Sequence, residues 1–209
     1  MSMLVMCANQ CGLVFGRLLG RFPGKLGHLY SPGSQRRRQP WLSYALDNGA
    51  FGSLTKKQPW DEASWRSLLN WGAQDTAHPP MWALVPDVVE DPHATLERWH
   101  AFAPIARAYG WPLAFAAQDG HTPADVPTDA DVVFIGGSTA WKLANIPVFC
   151  QSHRRVHVGR VNTYGRLRYA ADCGAESCDG TGWFRGDQKQ LAGLERFLTE
   201  EQALLRETA

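Results

Sequence analysis

Leu113-Ala114-Phe115-Ala116-Ala117-Gln118-Asp119-Gly120, Val132-Val133-Phe134-Ile135-Gly136-Gly137 and Val156-His157-Val158-Gly159-Arg160 carry the reading of the fold. Each is a short, largely apolar run that stops at a glycine or a polar residue. Runs of three to five such residues are too short for a helix and fit strands buried on both faces. Working outward, the same unit recurs. Further strands are expected at Met3–Cys7, Leu42–Leu46, Met81–Val85 and Ala175–Cys178. Helical patterns fill the gaps. Residues 61–74 place Trp65, Leu68 and Leu69 on one face. Asp91 caps a helix that starts at Pro92 and runs to about Tyr109, where Gly110 ends it. Shorter helices are expected at 138–144 and 164–173, the latter closed by Gly174, and an amphipathic one at 188–206.

Alternating strands and helices indicate a parallel sheet. Seven strands and one more would make a compact (β/α)8 barrel, an α/β fold. No eighth strand is visible after Gly182 unless Thr181–Phe184 contributes, and 119–131 is too short and proline-rich for a full helix. A doubly wound open sheet is the alternative, although no GxGxxG or P-loop supports a nucleotide-binding form of it. At 209 residues and 44% hydrophobic content, the chain reads as one domain, 1–209.

The five cysteines, at 7, 11, 150, 173 and 178, form no CxxC pair and no Cys/His ligand cluster. Neither zinc nor another cofactor is expected. An odd count without a framework suggests reduced thiols in a cytoplasmic protein. The N-terminus lacks a basic region and is interrupted by Asn9-Gln10, and no apolar run approaches the length of a membrane span. Net charge is only +1, but charge is segregated. Residues 1–46 hold six Lys/Arg, including Arg36-Arg37-Arg38, and no acid; residues 151–171 hold five Arg and no acid. Such segments suggest a polyanion-binding face, or else a pair of solvated loops.

Reactive groups in a barrel of this kind come from the C-terminal ends of the strands. Those positions hold Asp47, Pro86-Asp87, Gln118-Asp119-Gly120, Gly136-Gly137, Gly159-Arg160 and Asp179-Gly180. Structural turns also collect Asp and Gly, so Asx-turn closure is the alternative for Asp47 and Asp179. Two convergent carboxylates can divide the work of a glycosidic-bond reaction between nucleophile and proton carrier.

These segments resemble the tRNA-guanine transglycosylase superfamily. Leu46-Asp47-Asn48-Gly49-Ala50-Phe51 is similar to its DSGGFQ motif, Ala117-Gln118-Asp119-Gly120 to VQGG, Ile135-Gly136-Gly137 to IGG, and Val158-Gly159-Arg160 with Cys178-Asp179 to GVG and FDC. The likeness is closer to the short branch that modifies DNA with 7-deazaguanines, found in bacteriophages and bacteria. It covers Phe22–Leu29, Val85–Val89, Phe134–Ser138 and His157–Asn162, in order from about residue 22 to 183. The family's zinc site, three Cys and a His near the C-terminus, has no counterpart after Asp179. That departure and the short chain favour DNA over tRNA.

The resemblance implies exchange of guanine in DNA for a free 7-deazaguanine base, the 7-cyano base being the family-based expectation. By motif position Asp179 is the nucleophile and Asp47 the acid/base. Asp87 would accept from guanine N1–H and the exocyclic amine. Gln118 and the Gly137 N–H, beside Gly136, would donate to O6. Arg160, Lys142, Arg166 and Arg168 are the expected phosphate contacts. His157 is expected to be structural. A flipped base or single-stranded substrate is required. An N-glycosidase and a non-catalytic nucleic-acid-binding subunit are the competing readings.

Overall fold

A computed structural model describes residues 2–8, 12–34, 37 and 39–207, with side chains through 204. Cys11, Arg36, Arg38, Asn9 and Gln10 lie outside the described residues. Eight strands close into a parallel barrel in chain order: β1 (Leu4–Ala8), β2 (Leu26–Tyr30), β3 (Tyr44–Leu46), β4 (Ala83–Leu84), β5 (Leu113–Ala117), β6 (Val132–Ile135), β7 (Val156–Val158) and β8 (Ser177–Gly180). The seam joins β1 to β8, with Met6 paired to Asp179. Among the described residues seven helices accompany them: α1 (Leu13–Arg21), α2 (Ala50–Thr55), α3 (Glu62–Gly72), α4 (Pro92–Arg107), α5 (Thr139–Ser152), α6 (Tyr164–Asp172) and α7 (Gln188–Glu207). The fold is therefore an α/β (β/α)8 barrel.

The period-two alternation of each strand divides the apolar residues into two cores. Met6, Leu29, Ala45, Trp82, Leu84, Ala114, Ala116 and Val132 fill the barrel interior. Val5, Leu46, Phe115, Ala117 and Ile135 face outward, where Trp65, Leu68, Phe149 and Phe197 pack on them. Inward alanines on β5 leave room for the fully buried Trp82.

The eighth strand is β2, not Thr181–Phe184, which holds a 3-10 turn over Gly182–Phe184. Gly27 and His28 interrupt the apolar run of β2 and hide it from a hydrophobicity reading. The fold requires that glycine, because a Cβ on Gly27 would lie 2.8 Å from the Ser43 carbonyl of the neighbouring chain segment. The helix expected at 138–144 continues to Ser152 through Pro147. Buried Ile146 and Phe149 hold that part of α5 against the barrel, offsetting the hydrogen bond that proline cannot donate. Between β5 and β6 only a 3-10 turn, Pro123–Asp125, occurs, as the short connection requires.

Candidate active site at the barrel mouth

The C-terminal ends of the strands surround a cavity of about 950 Å³. Asp47, Asp87, Gln118, Gly136, Gly137, Arg160, Arg166 and Asp179 all line it. Two turns and two strands bring the two aspartates of the sequence reading to this space.

Asp47 follows β3, and its backbone N–H donates to the Tyr30 carbonyl, extending the ladder with β2. The Ser31 hydroxyl donates to Oδ2 at 2.8 Å, and the Asn48 N–H donates to Oδ1 at 2.8 Å. Burial pushes the Asp47 carboxyl above the usual carboxylate range, and the charge of Asp179 adds to the rise. Gly49, at φ +79°, makes the sharp entry into α2.

Asp179 lies within β8 and is nearly buried. Its Oδ1 accepts from His157 Nε2 at 3.1 Å and from the Arg160 backbone N–H at 3.2 Å. Its Oδ2 has no protein partner among the described residues.

Asp87 is only 6% exposed and sits at the centre of an amide network. Asn48 Nδ2 donates to Oδ1 at 2.6 Å, and Gln118 Nε2 donates to Oδ2 at 2.5 Å. Burial raises its carboxyl to about 6, with the nearby Asp47 charge contributing and the Asn48 bond opposing. Gln118 is oriented without ambiguity, since its Oε1 accepts from two backbone N–H groups, Glu90 (3.0 Å) and Gly137 (2.9 Å). Its second amide hydrogen remains for a ligand carbonyl.

That bond revises one expectation. The Gly137 N–H is committed to Gln118, and the Gly136 N–H to the Ala117 carbonyl. The diglycine therefore makes room instead of donating to a base. A Cβ on Gly136 would stand 2.8 Å from Gln118 Nε2, and one on Gly137, at φ +64°, would overlap the Asp119 carboxylate.

The expected phosphate contacts separate into two groups. Arg160 and Arg166 reach the cavity. Arg160 adopts a left-handed φ of +59°, donates to the Gly137 carbonyl and lies 4.1 Å over the Phe51 ring. Lys142 does not face solvent: it is 4% exposed and donates to the Gly159 carbonyl. Its ammonium falls to about 8, because burial disfavours the charge and Arg160 repels it. Arg168 points away, pairing with Asp172 at 2.6 Å and Glu201 at 2.9 Å on the outer helical layer. Lys56 and Arg185 line the cavity instead, and the sequence reading missed both. It also passed over Asn48, although Asn48 stands inside the quoted motif. Buried at 1%, Asn48 donates to the Val85 carbonyl and Asp87 and accepts from the Ala50 N–H, tying the Asp47 turn to the Asp87 turn.

Among the described residues no three His, Cys, Asp or Glu side chains converge as a metal-ligand set, and no helix is long and apolar enough to cross a membrane. Cys7, Cys150, Cys173 and Cys178 are free thiols.

No family model matches the sequence, and no curated protein matches it significantly. Solved structures do match over nearly the whole chain. The Amycolatopsis orientalis BexX/CysO complex aligns at 14% identity and a TM-score of 0.59, covering 96% of this chain and 89% of that one. The native KDPGal structure aligns at 12% and 0.53, covering 97% of each chain. A 3-hexulose-6-phosphate synthase aligns at 11% and 0.51, covering 95% and 99%. At these identities the likeness speaks to the barrel fold alone.

Proposed function

We propose that this protein is a base-exchange transglycosylase that replaces guanine in DNA with a free 7-deazaguanine. The observation that carries the reading is that Asp47 and Asp179 line one cavity beside a buried acceptor, Asp87, cross-braced by Asn48 and Gln118. That volume takes a sugar and a purine.

The two aspartates have different surroundings, and roles follow from them. Asp179 is held at Oδ1 by two N–H donors, which fixes its carboxylate at the cavity wall, so it serves as nucleophile. Asp47, pushed upward by burial and by the Asp179 charge, holds a proton more readily. In the first half-reaction an Asp179 oxygen lone pair forms a bond to C1′. The C1′–N9 bond breaks, its electron pair leaves with guanine, and Asp47 supplies the proton that neutralises the departing base. In the second half, N9 of the incoming base attacks C1′ and its proton passes to the Asp47 carboxylate. The bond to Asp179 then breaks and returns the electron pair to the carboxylate.

Asp87 provides recognition. An ionised carboxylate has about four lone-pair sites, so each oxygen keeps one after Asn48 and Gln118 are served. These accept guanine N1–H and the exocyclic amine, while the remaining Gln118 amide hydrogen donates to O6. Uracil- or adenine-like edges leave this set unpaired, at a cost that excludes them. Lys56, Arg160, Arg166 and Arg185, which line the cavity together with Asp61 and the three site aspartates, are the cationic groups it offers to a phosphate backbone.

The test is incorporation of labelled guanine by the purified protein into single- and double-stranded DNA, with tRNA as a parallel arm. Incorporation into DNA that Asp179→Ala abolishes is the expected result. Incorporation into tRNA alone overturns the DNA assignment, and free guanine released with no exchange makes the protein an N-glycosidase.

A further inference from the structure

Among the described residues, His157 is the one fully buried titratable side chain hydrogen-bonded to the candidate nucleophile. It stands at the centre of β7, next to Ser177 in the register with β8. Asp179 lies two residues beyond Ser177, on the same face of β8 by the period-two rule. One ring therefore reaches both: Nδ1 is 2.8 Å from Ser177 Oγ, and Nε2 is 3.1 Å from Asp179 Oδ1. The ring plane is held by stacking on Phe134 (centroids 4.8 Å apart, 22° between planes) and by an edge contact with Trp82 at 4.9 Å.

We propose that His157 is a positioning residue that dedicates one oxygen of Asp179 to attack. The assignment rests on Asp179 being the nucleophile of the reaction proposed above. A carboxylate only accepts hydrogen bonds, so the proton on the facing nitrogen belongs to Nε2. Ser177 both donates and accepts, and satisfies Nδ1 in either state of the ring. Together with the Arg160 backbone N–H, His157 anchors Oδ1 with two donors. Oδ2 is left without a protein partner among the described residues, on a carboxylate that lines the cavity. The anchored carboxylate cannot rotate to exchange its oxygens without breaking both bonds. When the Oδ2 lone pair bonds to C1′ and the C1′–N9 pair leaves with guanine, the His157 proton stays on Nε2. The device works by orientation, where a displacement of about 1 Å costs roughly 10²-fold in rate.

The test combines kinetics with nitrogen-resolved NMR of the imidazole. His157→Phe keeps the stacked ring and removes the donor. It is expected to lower kcat by roughly 10²-fold with KM for DNA and base nearly unchanged, and His157→Gln, which restores an N–H, is expected to recover part of the loss. Wild-type kcat in His157→Phe, or equal losses in the Phe and Gln variants, overturns the proposal. In the wild-type protein NMR is expected to show Nε2 protonated, with a resonance that moves in Asp179→Asn. An unprotonated Nε2, or a resonance indifferent to Asp179→Asn, overturns it without any activity measurement or refolded variant. Wild-type protein that shows this resonance yet exchanges no base rejects the transglycosylase reading and leaves the His157–Asp179 contact standing.

Discussion

Asp87 and Asp47 are two carboxyls of this site that burial holds above the usual carboxylate range. The Asp87 carboxyl titrates at about 6 in the folded protein against an ordinary value of 3.8, so the native state binds this proton more tightly than the unfolded chain does. Its contribution to stability is therefore most favourable below about pH 4 and is lost as pH rises to about 6, a difference on the order of 2–3 kcal/mol. Melting temperatures measured between pH 4 and 7 should fall less steeply in Asp87→Asn than in wild type. Superimposable profiles would show that the carboxyl is not buried as described. If Asp87 is the acceptor for guanine, as proposed, the same protonation removes it, and KM for the base is expected to rise below about pH 6. For Asp47, replacement by Asn should lower kcat by roughly 10²–10⁴-fold and leave DNA affinity nearly unchanged; wild-type turnover would remove Asp47 from the proton path.

At the scale of elements, the strand ends work as interlocked turns. The β6 turn holds Gln118 through the Gly137 N–H, Gln118 holds Asp87, and Asn48 joins Asp87 to the β3 turn. Gly137→Ala puts a side chain at φ +64° against Asp119 and is expected to destabilise the protein by about 1–3 kcal/mol. Chemical denaturation reads that loss, and an unchanged midpoint would contradict the close approach. Asn48→Ala should cost a similar amount, since the buried Ala50 N–H and Val85 carbonyl lose their side-chain partner. Much of this layer was legible in the sequence. Uninterrupted apolar runs such as 113–117 and 132–135 gave strand bounds directly, and the residues just after them, Gln118 and Gly136-Gly137, gave part of the cavity wall. What stayed hidden has a common physical cause. Strand β2, the Lys142 contact and the Gly137 N–H all depend on a partner distant in sequence, which local periodicity does not encode. Arg168 is the converse: a basic residue in an acid-free stretch whose partners, Asp172 and Glu201, come from beyond it.

Over the whole molecule, a chain of net charge +1 brings Lys56, Arg160, Arg166 and Arg185 to the cavity where the barrel opens, beside its aspartates. Affinity for DNA should accordingly fall as salt rises, and Arg166→Ala or Arg185→Ala should each reduce the slope of log affinity against log salt by about 1. Arg168→Ala, on the outer layer, should leave that slope unchanged. Equal slopes in all three variants would move the nucleic-acid path away from the mouth. Base exchange at C1′ within this cavity changes the nucleoside content of DNA, which mass spectrometry reads. DNA incubated with the purified protein and 7-cyano-7-deazaguanine should yield the corresponding deoxynucleoside, with guanine released in equal amount and neither product formed by Asp179→Ala. Unmodified nucleosides after incubation with the 7-deazaguanine bases, with DNA bound and intact, would rule out base exchange.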